Sequence, residues 1–417
     1  MSKNNENKLV PRLRFPEFLN WGEWSFPNGD ELFEPIVNKN HNSDLPILAI
    51  TQEQGAVPRD MIDYHVSVTD KSVESYKVVE VGDFIISLRS FQGGIEYSNY
   101  KGLCSPAYII LRKKVDLEND FYRYYFKSVP FIRDINKNLE GIRDGKMISY
   151  KQFSEILIPK PKTEEQQKIA ACLSSLDDVI NAESKKLEVL KEHKKGLLQN
   201  LFPQEGETVP KFRFEEFQDS DAWQEDTLLN IASFRRGSFP QPYGLSEWYD
   251  DEKGMPFIQV FDVDDNFRLK PATKNKISEL AAKQSVFIPK GTLIITLQGS
   301  IGRVAITQYD AYIDRTILLF EEFHQEIDIT FFAYTLFLLF EIEKQKAPGG
   351  IIKTITKEVL SNFVVKLPSI EEQRKISSCL SSLDELINAQ SQKIETLKLH
   401  KKGLLQGLFP DVNEHNG

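Results

Sequence analysis

Two segments of the chain carry apolar residues at alternating spacings of four and three, which is the pattern of a coiled-coil helix. They cover residues 164–203 and 371–410, lie 207 positions apart, and are identical at 29 of 40 positions. Pro203 and Pro410 are expected to end the helices, because proline cannot continue one. The predicted seam comprises Leu176, Ile180, Glu183, Leu187, Leu190, Lys194, Leu197 and Leu201 in the first helix, and Leu383, Ile387, Gln390, Ile394, Leu397, Lys401, Leu404 and Leu408 in the second.

Neither helix is expected to be stable alone in water, because each must bury its apolar seam. A general dimerisation coil would bury it, but pairing within one chain also explains why the helix occurs twice, and high effective concentration favours that pairing. An antiparallel pair with Glu183 opposite Lys401 also sets Lys194 opposite Gln390. Each polar seam residue then faces another polar residue, which avoids an unpaired buried charge and predicts the register.

The repeat extends beyond the helices. Residues 10–18 (VPRLRFPEF) and 209–217 (VPKFRFEEF) are similar, and we refer to both as leading segments. Each leading segment is followed by about 150 residues that differ much more between the halves, and then by a helix. The chain therefore consists of two versions of one module, at roughly 1–207 and 208–417. A period this long is a duplicated domain and not a solenoid unit.

The divergent part of each module mixes two kinds of pattern. The β-branched and aromatic runs DFIISL, AYIIL, TLIITL and RTILLF predict strands. Shorter helices are expected at Asp120–Ile135 and Asp328–Lys346. The predicted fold class is α+β, with two similar α/β domains joined by two long antiparallel coiled-coil helices in a pseudo-twofold internal repeat.

Composition and charge limit the function classes. The 417 residues carry a net charge of −9, which argues against a stand-alone nucleic-acid binder but allows local basic patches. No apolar run is long enough to span a membrane, and the first residues lack the apolar core of a signal peptide. Three cysteines cannot form a disulfide framework. We therefore expect a cytoplasmic protein.

Motifs of catalysis are missing from the sequence. It contains no Walker A loop, no HExxH, no G-x-S-x-G, no Gly-rich methyl-donor loop and no Cys/His metal spacing. We predict no catalytic, cofactor-binding or metal-binding residue, and a chain that is not itself an enzyme.

Several loops combine basic, amide and turn residues in a way that suits DNA binding. The arginine pair in residues 234–244 could grip phosphates or read guanine edges. Arg89 aligns with Gln298 at the end of an equivalent strand, and arginine pairs with guanine whereas glutamine pairs with adenine. Ordinary surface loops would carry the same residues. The candidate DNA-binding residues are Arg89, Ser90, Gln92, Lys146, Arg235, Arg236, Gln298, Arg303 and Lys353.

The order of these elements resembles the specificity subunit of type I restriction-modification systems over nearly the whole chain. The carrying motifs are the two helix starts at 161–169 and 368–376, the LSSLD that follows each, and the LxxxKKGLLQxLF helix ends. Segments of the divergent parts also look like recognition-domain sequences, namely residues 48–60, 76–85, 105–111 and 237–263.

The resemblance implies a non-catalytic subunit with target-recognition domains at 1–157 and 208–364, and with conserved helices at 158–207 and 365–417. It implies binding of double-stranded DNA and docking of two methyltransferase subunits and of nuclease-translocase subunits, with no membrane role. S-adenosylmethionine, ATP and magnesium are then expected on those partners. The assembled complex would have adenine-N6 methyltransferase and ATP-dependent endonuclease activity and would act in phage defence.

Divergent recognition parts on near-identical helices predict two different half-sites, and therefore a bipartite, non-palindromic target. In the expected register, residues 176–201 span roughly 39 Å at ~1.5 Å per residue. One turn of B-DNA is ~34–36 Å, the usual separation of half-site centres for paired readers. The helix pair would then hold the two domains about one turn apart, with several unread base pairs between the half-sites.

Other functions stay open from the sequence. A fused nuclease or methyltransferase would bind a methyl donor as an isolated chain. A coiled-coil scaffold without a DNA role would show no sequence-selective binding to duplex DNA, even with a methyltransferase present. An orphan DNA-binding module would serve another phage-defence methyltransferase.

Overall fold

The chain folds into two compact units whose divisions fall inside the long helices. Unit 1 comprises residues 1–185 and 392–417, and unit 2 comprises residues 186–391. Each unit contains the start of one long helix and the end of the other, so the units differ from the sequence modules, which break after residue 207. The computed structural model describes residues 10–42, 44–62, 73–137, 148–264, 266–346, 355 and 357–410.

Unit 1 is built on an antiparallel sheet of order β1-β8-β5-β6, accompanied by the pairs β2-β3 and β4-β7. The strands are β1 (Phe33–Ile36), β2 (Leu48–Thr51), β3 (Gly55–Pro58), β4 (Lys77–Val79), β5 (Phe84–Ile86), β6 (Glu96–Tyr97), β7 (Gly102–Cys104) and β8 (Ile109–Lys113). The short α-helices are Gly29–Leu32, Ser90–Gly93, Asn119–Tyr125, Val129–Lys137 and Tyr150–Ser154, and the 3₁₀ turns are Pro16–Phe18 and Arg59–Met61.

The core of unit 1 joins the sheet to both long helices. Phe33 on β1 packs edge-to-face on Phe84 of β5, with ring centroids 5.5 Å apart. The same buried cluster includes Ile169 and Leu173 near the start of the first long helix and Leu408 at the end of the second. Burial of these helix ends against the sheet gives each helix the apolar contacts that it lacks alone.

Unit 2 repeats this plan and adds a second four-stranded sheet. The sheets have the orders β10-β17-β14-β15, β12-β11-β16-β13 and β18-β9. The strands are β9 (Gln224–Thr227), β10 (Ala232–Arg236), β11 (Met255–Ile258), β12 (Asn275–Ile277), β13 (Val286–Ile288), β14 (Leu293–Thr296), β15 (Val304–Ile306), β16 (Ala311–Ile313), β17 (Ile317–Phe323) and β18 (Val364–Leu367). The shorter α-helices are Leu228–Ile231, Glu279–Ala282, Ile329–Lys346 and Lys357–Ser361, and the 3₁₀ turns are Glu215–Phe217, Ser246–Trp248 and Val260–Asp262.

The first sheets of the two units have the same strand order, and the pairs β5–β8 and β14–β17 have the same register. Ile85 faces Ile110 in unit 1, and Ile294 faces Leu319 at the aligned positions of unit 2. The main core of unit 2 likewise gathers helix ends, because Leu201 lies in one buried cluster with Leu380. The structure therefore confirms an internal repeat of mixed α and β structure.

The two long helices are Thr163–Leu201 and Ile370–Leu408, of 39 residues each. Each ends two positions before a proline, Pro203 or Pro410, which agrees with the predicted ends because the residue before proline disfavours helical geometry. Glutamates in the first turn of each helix complement the positive end of its dipole. No helix in the described part of the chain is both long and apolar enough to cross a membrane.

The four strands predicted from apolar runs are confirmed as β5, β8, β14 and β17. The helix predicted at Asp328–Lys346 is also confirmed, as Ile329–Lys346. The single helix predicted at Asp120–Ile135 is wrong, because the structure has two helices, Asn119–Tyr125 and Val129–Lys137. Pro130 lacks an N–H and suits only the first turn of a helix, so a new helix begins there.

Candidate functional site

A buried arginine–glutamate pair binds the leading segment of unit 1 to the first long helix. Arg14 donates from Nε and Nη2 to the two carboxylate oxygens of Glu165, at 2.7 Å each. It also donates from Nη1 to the Gly22 carbonyl at 2.6 Å. The two side chains are 6% and 1% exposed. Paired charge-assisted hydrogen bonds of this kind fix orientation as well as position.

Unit 2 contains the same pair between its leading segment and the second long helix. Arg213 donates to both carboxylate oxygens of Glu372, at 2.8 and 2.6 Å, and to the carbonyls of Ser220 and Asp221. The hydrogen bonds that Arg213 donates to Glu372 hold the pKa of its guanidinium above its usual value. The sequence patterns did not predict this contact, although Arg14 and Arg213 occupy equivalent places in the repeated segments.

The glutamine that follows these glutamates ties each helix start to a neighbouring loop. Gln166 accepts from the Glu118 N–H at 2.9 Å and donates to the Pro161 carbonyl at 2.7 Å. In unit 2, Gln373 accepts from the Asp328 N–H at 3.1 Å and donates to the Pro368 carbonyl. The repeated Glu-Glu-Gln sequence is thus a structural device that anchors a helix to its domain.

A tyrosine, an aspartate and a lysine meet where the two helices pack together in unit 1. Lys401 donates to Asp177 Oδ1 at 2.5 Å, and the Tyr124 hydroxyl donates to Asp177 Oδ2 at 2.8 Å. Lys401 Nζ also lies 5.1 Å from the centroid of the Tyr124 ring. Burial, followed by the carboxylate hydrogen bond, raises the pKa of Tyr124 well above its usual value.

The equivalent group in unit 2 has the same chemistry. Lys194 lies 2.6 Å from Asp384, the Tyr334 hydroxyl donates to Asp384 Oδ2 at 2.5 Å, and Lys194 Nζ is 5.3 Å from the Tyr334 ring. Burial again raises the pKa of the tyrosine above its usual range. We call the two groups the Tyr-Asp-Lys clusters. They place each seam lysine against a carboxylate and an aromatic face.

The antiparallel direction is confirmed within unit 1, but the predicted register is wrong. Lys401 pairs with Asp177, and Glu183 accepts from Lys393 at 2.5 Å, so Glu183 and Lys401 are not partners. The physical reason is that a seam lysine reaches sideways to a carboxylate beside the seam and to a tyrosine from the globular domain. It needs no polar residue directly opposite.

The apolar contacts agree with this shifted register. If Glu183 lay opposite Lys401, Leu408 would face Leu176 and Leu201 would face Leu383. Instead, Leu408 shares a buried cluster with Ile169 and Leu173, and in unit 2 Leu201 shares one with Leu380. None of the predicted seam positions is exposed. Leu201, Leu383, Ile387, Gln390, Ile394 and Leu408 are buried, and Leu176, Ile180, Glu183, Leu187, Leu190, Lys194, Leu197, Leu397, Lys401 and Leu404 are half-buried.

The candidate DNA-binding residues of unit 1 separate into exposed and buried ones. Arg89 and Gln92 are exposed at the end of β5. The side chain of Gln52 donates to the Arg89 carbonyl at 3.3 Å, which supports the turn that carries Arg89. Ser90 is 1% exposed, and its hydroxyl accepts from the Ser87 N–H at 2.8 Å. The Ser90 hydroxyl therefore closes the turn, and its burial argues against the predicted DNA contact.

In unit 2, Gln298 is exposed just after β14. Each of the three candidate arginines donates to another group of this chain. Arg235 donates to Glu321 at 2.5 Å, while Arg236 and Arg303 donate to backbone carbonyls. Each of these arginines therefore has part of its donor capacity satisfied within the protein. Lys146 and Lys353 lie outside the described residues. Within the described ranges, no group of three or more His, Cys, Asp or Glu residues could hold a metal ion.

Comparison with known proteins gives one family. A family model described as the type I restriction modification DNA specificity domain matches residues 29–192 and 223–399. The chain is 25% identical over 443 residues to the type I restriction enzyme MjaVIII specificity subunit of Methanocaldococcus jannaschii, covering 98% of this chain and 96% of that protein. It is 25% identical over 320 residues to the EcoBI specificity subunit of Escherichia coli, covering 71% and 66%.

A solved structure is similar in fold. The type I restriction-modification S subunit from M. genitalium matches with a TM-score of 0.57 at 19% identity, over 97% of this chain and 100% of that one. The similarity supports the fold class of two domains with long helices.

Proposed function

The chain belongs to the family of type I restriction modification DNA specificity domains, and from this we propose that it reads a two-part, non-palindromic target. Its role is non-catalytic DNA recognition. Each compact unit reads one part. The helix starts are fixed to the two units by equivalent buried ion pairs, Arg14–Glu165 and Arg213–Glu372. Within each unit, the ion pair therefore fixes the leading segment to the start of a long helix.

The observation that carries this proposal is that the two units share one sheet order but differ in the exposed residues that follow equivalent strands. The sheets β1-β8-β5-β6 and β10-β17-β14-β15 share their order, yet Arg89 follows the strand in unit 1 where Gln298 follows it in unit 2. Arginine pairs with guanine edges and glutamine with adenine edges. Two identical readers would select a palindrome, whereas these two favour unlike half-sites.

The remaining candidates have supporting roles in this proposal. Gln92 lies beside Arg89 in the short helix that follows β5. Arg235, Arg236 and Arg303 already use part of their donor capacity, which suits phosphate contacts better than base reading. Lys146 and Lys353 occupy aligned positions in the two modules and are proposed as further phosphate contacts.

The proposed partners follow from the family. Two methyltransferase subunits dock on this chain, and nuclease-translocase subunits join the assembly in the cytoplasm. S-adenosylmethionine, ATP and magnesium bind to those subunits, which supply adenine-N6 methylation and ATP-dependent cleavage in phage defence. The acidic charge of −9 is compatible with this division, because partner subunits share the grip on DNA phosphates.

A domain exchange tests the proposal. Residues 1–157 are replaced by the recognition part of another family member, and the full chain is assayed with its methyltransferase partner on a randomised duplex library. One half of the selected sequence is expected to change, while the other half stays the same. Replacing residues 208–364 is the matched control and should change only the other half.

A change in both halves, or in neither, from a single exchange would contradict reading of one half by each unit. An unmodified chain that selects no sequence with its partner present would favour a scaffold role.

A further inference from the structure

An exposed arginine, Arg315, lies beside Gln298 in unit 2, at a place that the sequence patterns did not single out. Arg315 lies between β16 and β17, and Gln298 follows β14. Both line an open cavity of about 550 Å³, together with Tyr243, Gln259 and Phe261. We call these residues the strand-end corner.

A buried aspartate holds the corner in one arrangement. Asp314 is 2% exposed and accepts hydrogen bonds from the Tyr243 hydroxyl and from the N–H and hydroxyl of Thr316, the latter two at 2.8 and 2.7 Å. Its own N–H donates to the Ile258 carbonyl at 3.1 Å, which ties the loop to β11. The backbone on both sides of Arg315 is therefore fixed by hydrogen bonds.

The guanidinium of Arg315 is held in one orientation, but its hydrogen-bond donors are unused among the described residues. It lies over the Tyr243 ring, 5.0 Å from the centroid, which restrains the plane of its donor fork. Among the described residues, it has no hydrogen bond or ion pair, and the carboxylate of its neighbour Asp314 is occupied by other donors. Arg213 and Arg235 of the same unit differ, because each is paired with a glutamate.

The internal repeat argues for recognition and against a structural role. The register aligns Leu319 of β17 with Ile110 of β8, so counting back four positions aligns Arg315 with Pro106. At the neighbouring strand end, Gln298 aligns with Arg89. The sheet order is retained in both units, but the exposed residues differ at both aligned positions, Arg315/Pro106 and Gln298/Arg89. Side chains that only supported the frame would not need to change in this way.

We propose that Arg315 is a specificity-determining residue that reads a guanine within the half-site of unit 2, beside the position read by Gln298. This inference rests on the proposed function and assigns a reading group to it. A planar arginine fork binds the O6 and N7 atoms of guanine with two hydrogen bonds in the major groove. Stacking on Tyr243 orders the fork before DNA binds, which lowers the entropic cost of the contact.

The test is selection from a randomised duplex library by the full chain with its methyltransferase partner. Arg315→Ala should lose the preference for guanine at one position of one half-site and bind the original target about 5- to 150-fold more weakly. Arg315→Lys should relax the same position, because lysine retains the charge but not the planar fork. Arg374→Ala is the matched control, since this exposed arginine lies on the second long helix and is paired with Glu326.

Each other outcome contradicts the inference. Binding that is weakened equally on all sequences would identify Arg315 as a phosphate contact. The slope of the logarithm of the binding constant against the logarithm of salt concentration would then fall by about one. Unchanged selection would mean that Arg315 reads nothing. Altered selection with Arg374→Ala to the same extent would mean that the effect is not specific to the corner. If the unmodified chain selected no sequence at all, the proposed function would fail, and that result is distinguishable from the others.

Discussion

Lys401 on the second long helix donates a hydrogen bond to Asp177 on the first, at 2.5 Å. Lys401 is a seam residue, and a cation there would be costly without a partner. Asp177 immediately follows the seam residue Leu176, so the lysine reaches it by leaning out of the apolar layer. This contact and the Tyr124 ring above it explain how an apolar seam accommodates a charge.

The first prediction concerns the contribution of this cluster to stability. Asp177→Asn removes the carboxylate that satisfies half-buried Lys401 and weakens the acceptor for Tyr124. We expect the free energy of unfolding to fall by about 1–3 kcal/mol. Urea unfolding of the full chain, followed by circular dichroism, measures it. Lys398→Ala is the control, because Lys398 and its partner Glu395 are 56% and 67% exposed on the second long helix, and such pairs contribute about 0–1 kcal/mol. Equal losses in the two variants would contradict a special role for the cluster.

A second prediction concerns the buried pair that joins the leading segment to its helix. Glu165→Gln leaves the Arg14 guanidinium buried without a counter-charge, which should destabilise unit 1 by about 3–5 kcal/mol. The matched control is Glu17→Gln, since the Glu17–Lys168 pair is exposed on both sides. Thermal unfolding of both variants provides the comparison. A Glu165→Gln variant as stable as Glu17→Gln would show that the leading segment is held by other contacts.

The repeat, the long helices and their apolar seam could be predicted from the sequence, because each is a local pattern of spacing. The register could not, because it depends on Tyr124 and Tyr334, which come from divergent parts of the chain. The Arg14–Glu165 pair joins residues 151 positions apart, and a list of charges does not say which of them meet. Ser90 looked like an exposed polar residue of a loop, but its hydroxyl turns inward to close that loop.

A third prediction concerns alkaline pH. Burial raises the pKa of both Tyr124 and Tyr334 in the folded protein, whereas tyrosine in an unfolded chain titrates near pH ~10. The protonated phenols therefore stabilise the fold below pH ~10, and that stability is lost as pH rises beyond it, by about 1.4 kcal/mol per pH unit for each group. The variant with both Tyr124→Phe and Tyr334→Phe should lose stability less steeply than the unmodified chain between pH 10 and 11.5. Urea midpoints over this range test it, and equal slopes would contradict it.

A fourth prediction concerns the unread gap in the proposed target. One heptad inserted after Lys185 and another after Ser391 lengthens both helices at the divisions between the units, which retains the cluster contacts inside each unit. We expect a longer gap and two unchanged half-sequences, because seven residues preserve the seam pattern. An insertion in one helix only is the control and should disrupt the pairing. A gap of unchanged length in the double insertion would mean that the helices do not set it.

We propose that this chain specifies two unlike half-sites, one for each compact unit. Methylome sequencing of a strain with no other adenine methylation, carrying this chain with its methyltransferase partner, tests this proposal. We expect one methylated motif with two different half-sequences separated by unread base pairs. A palindromic motif, or a single uninterrupted one, would contradict it.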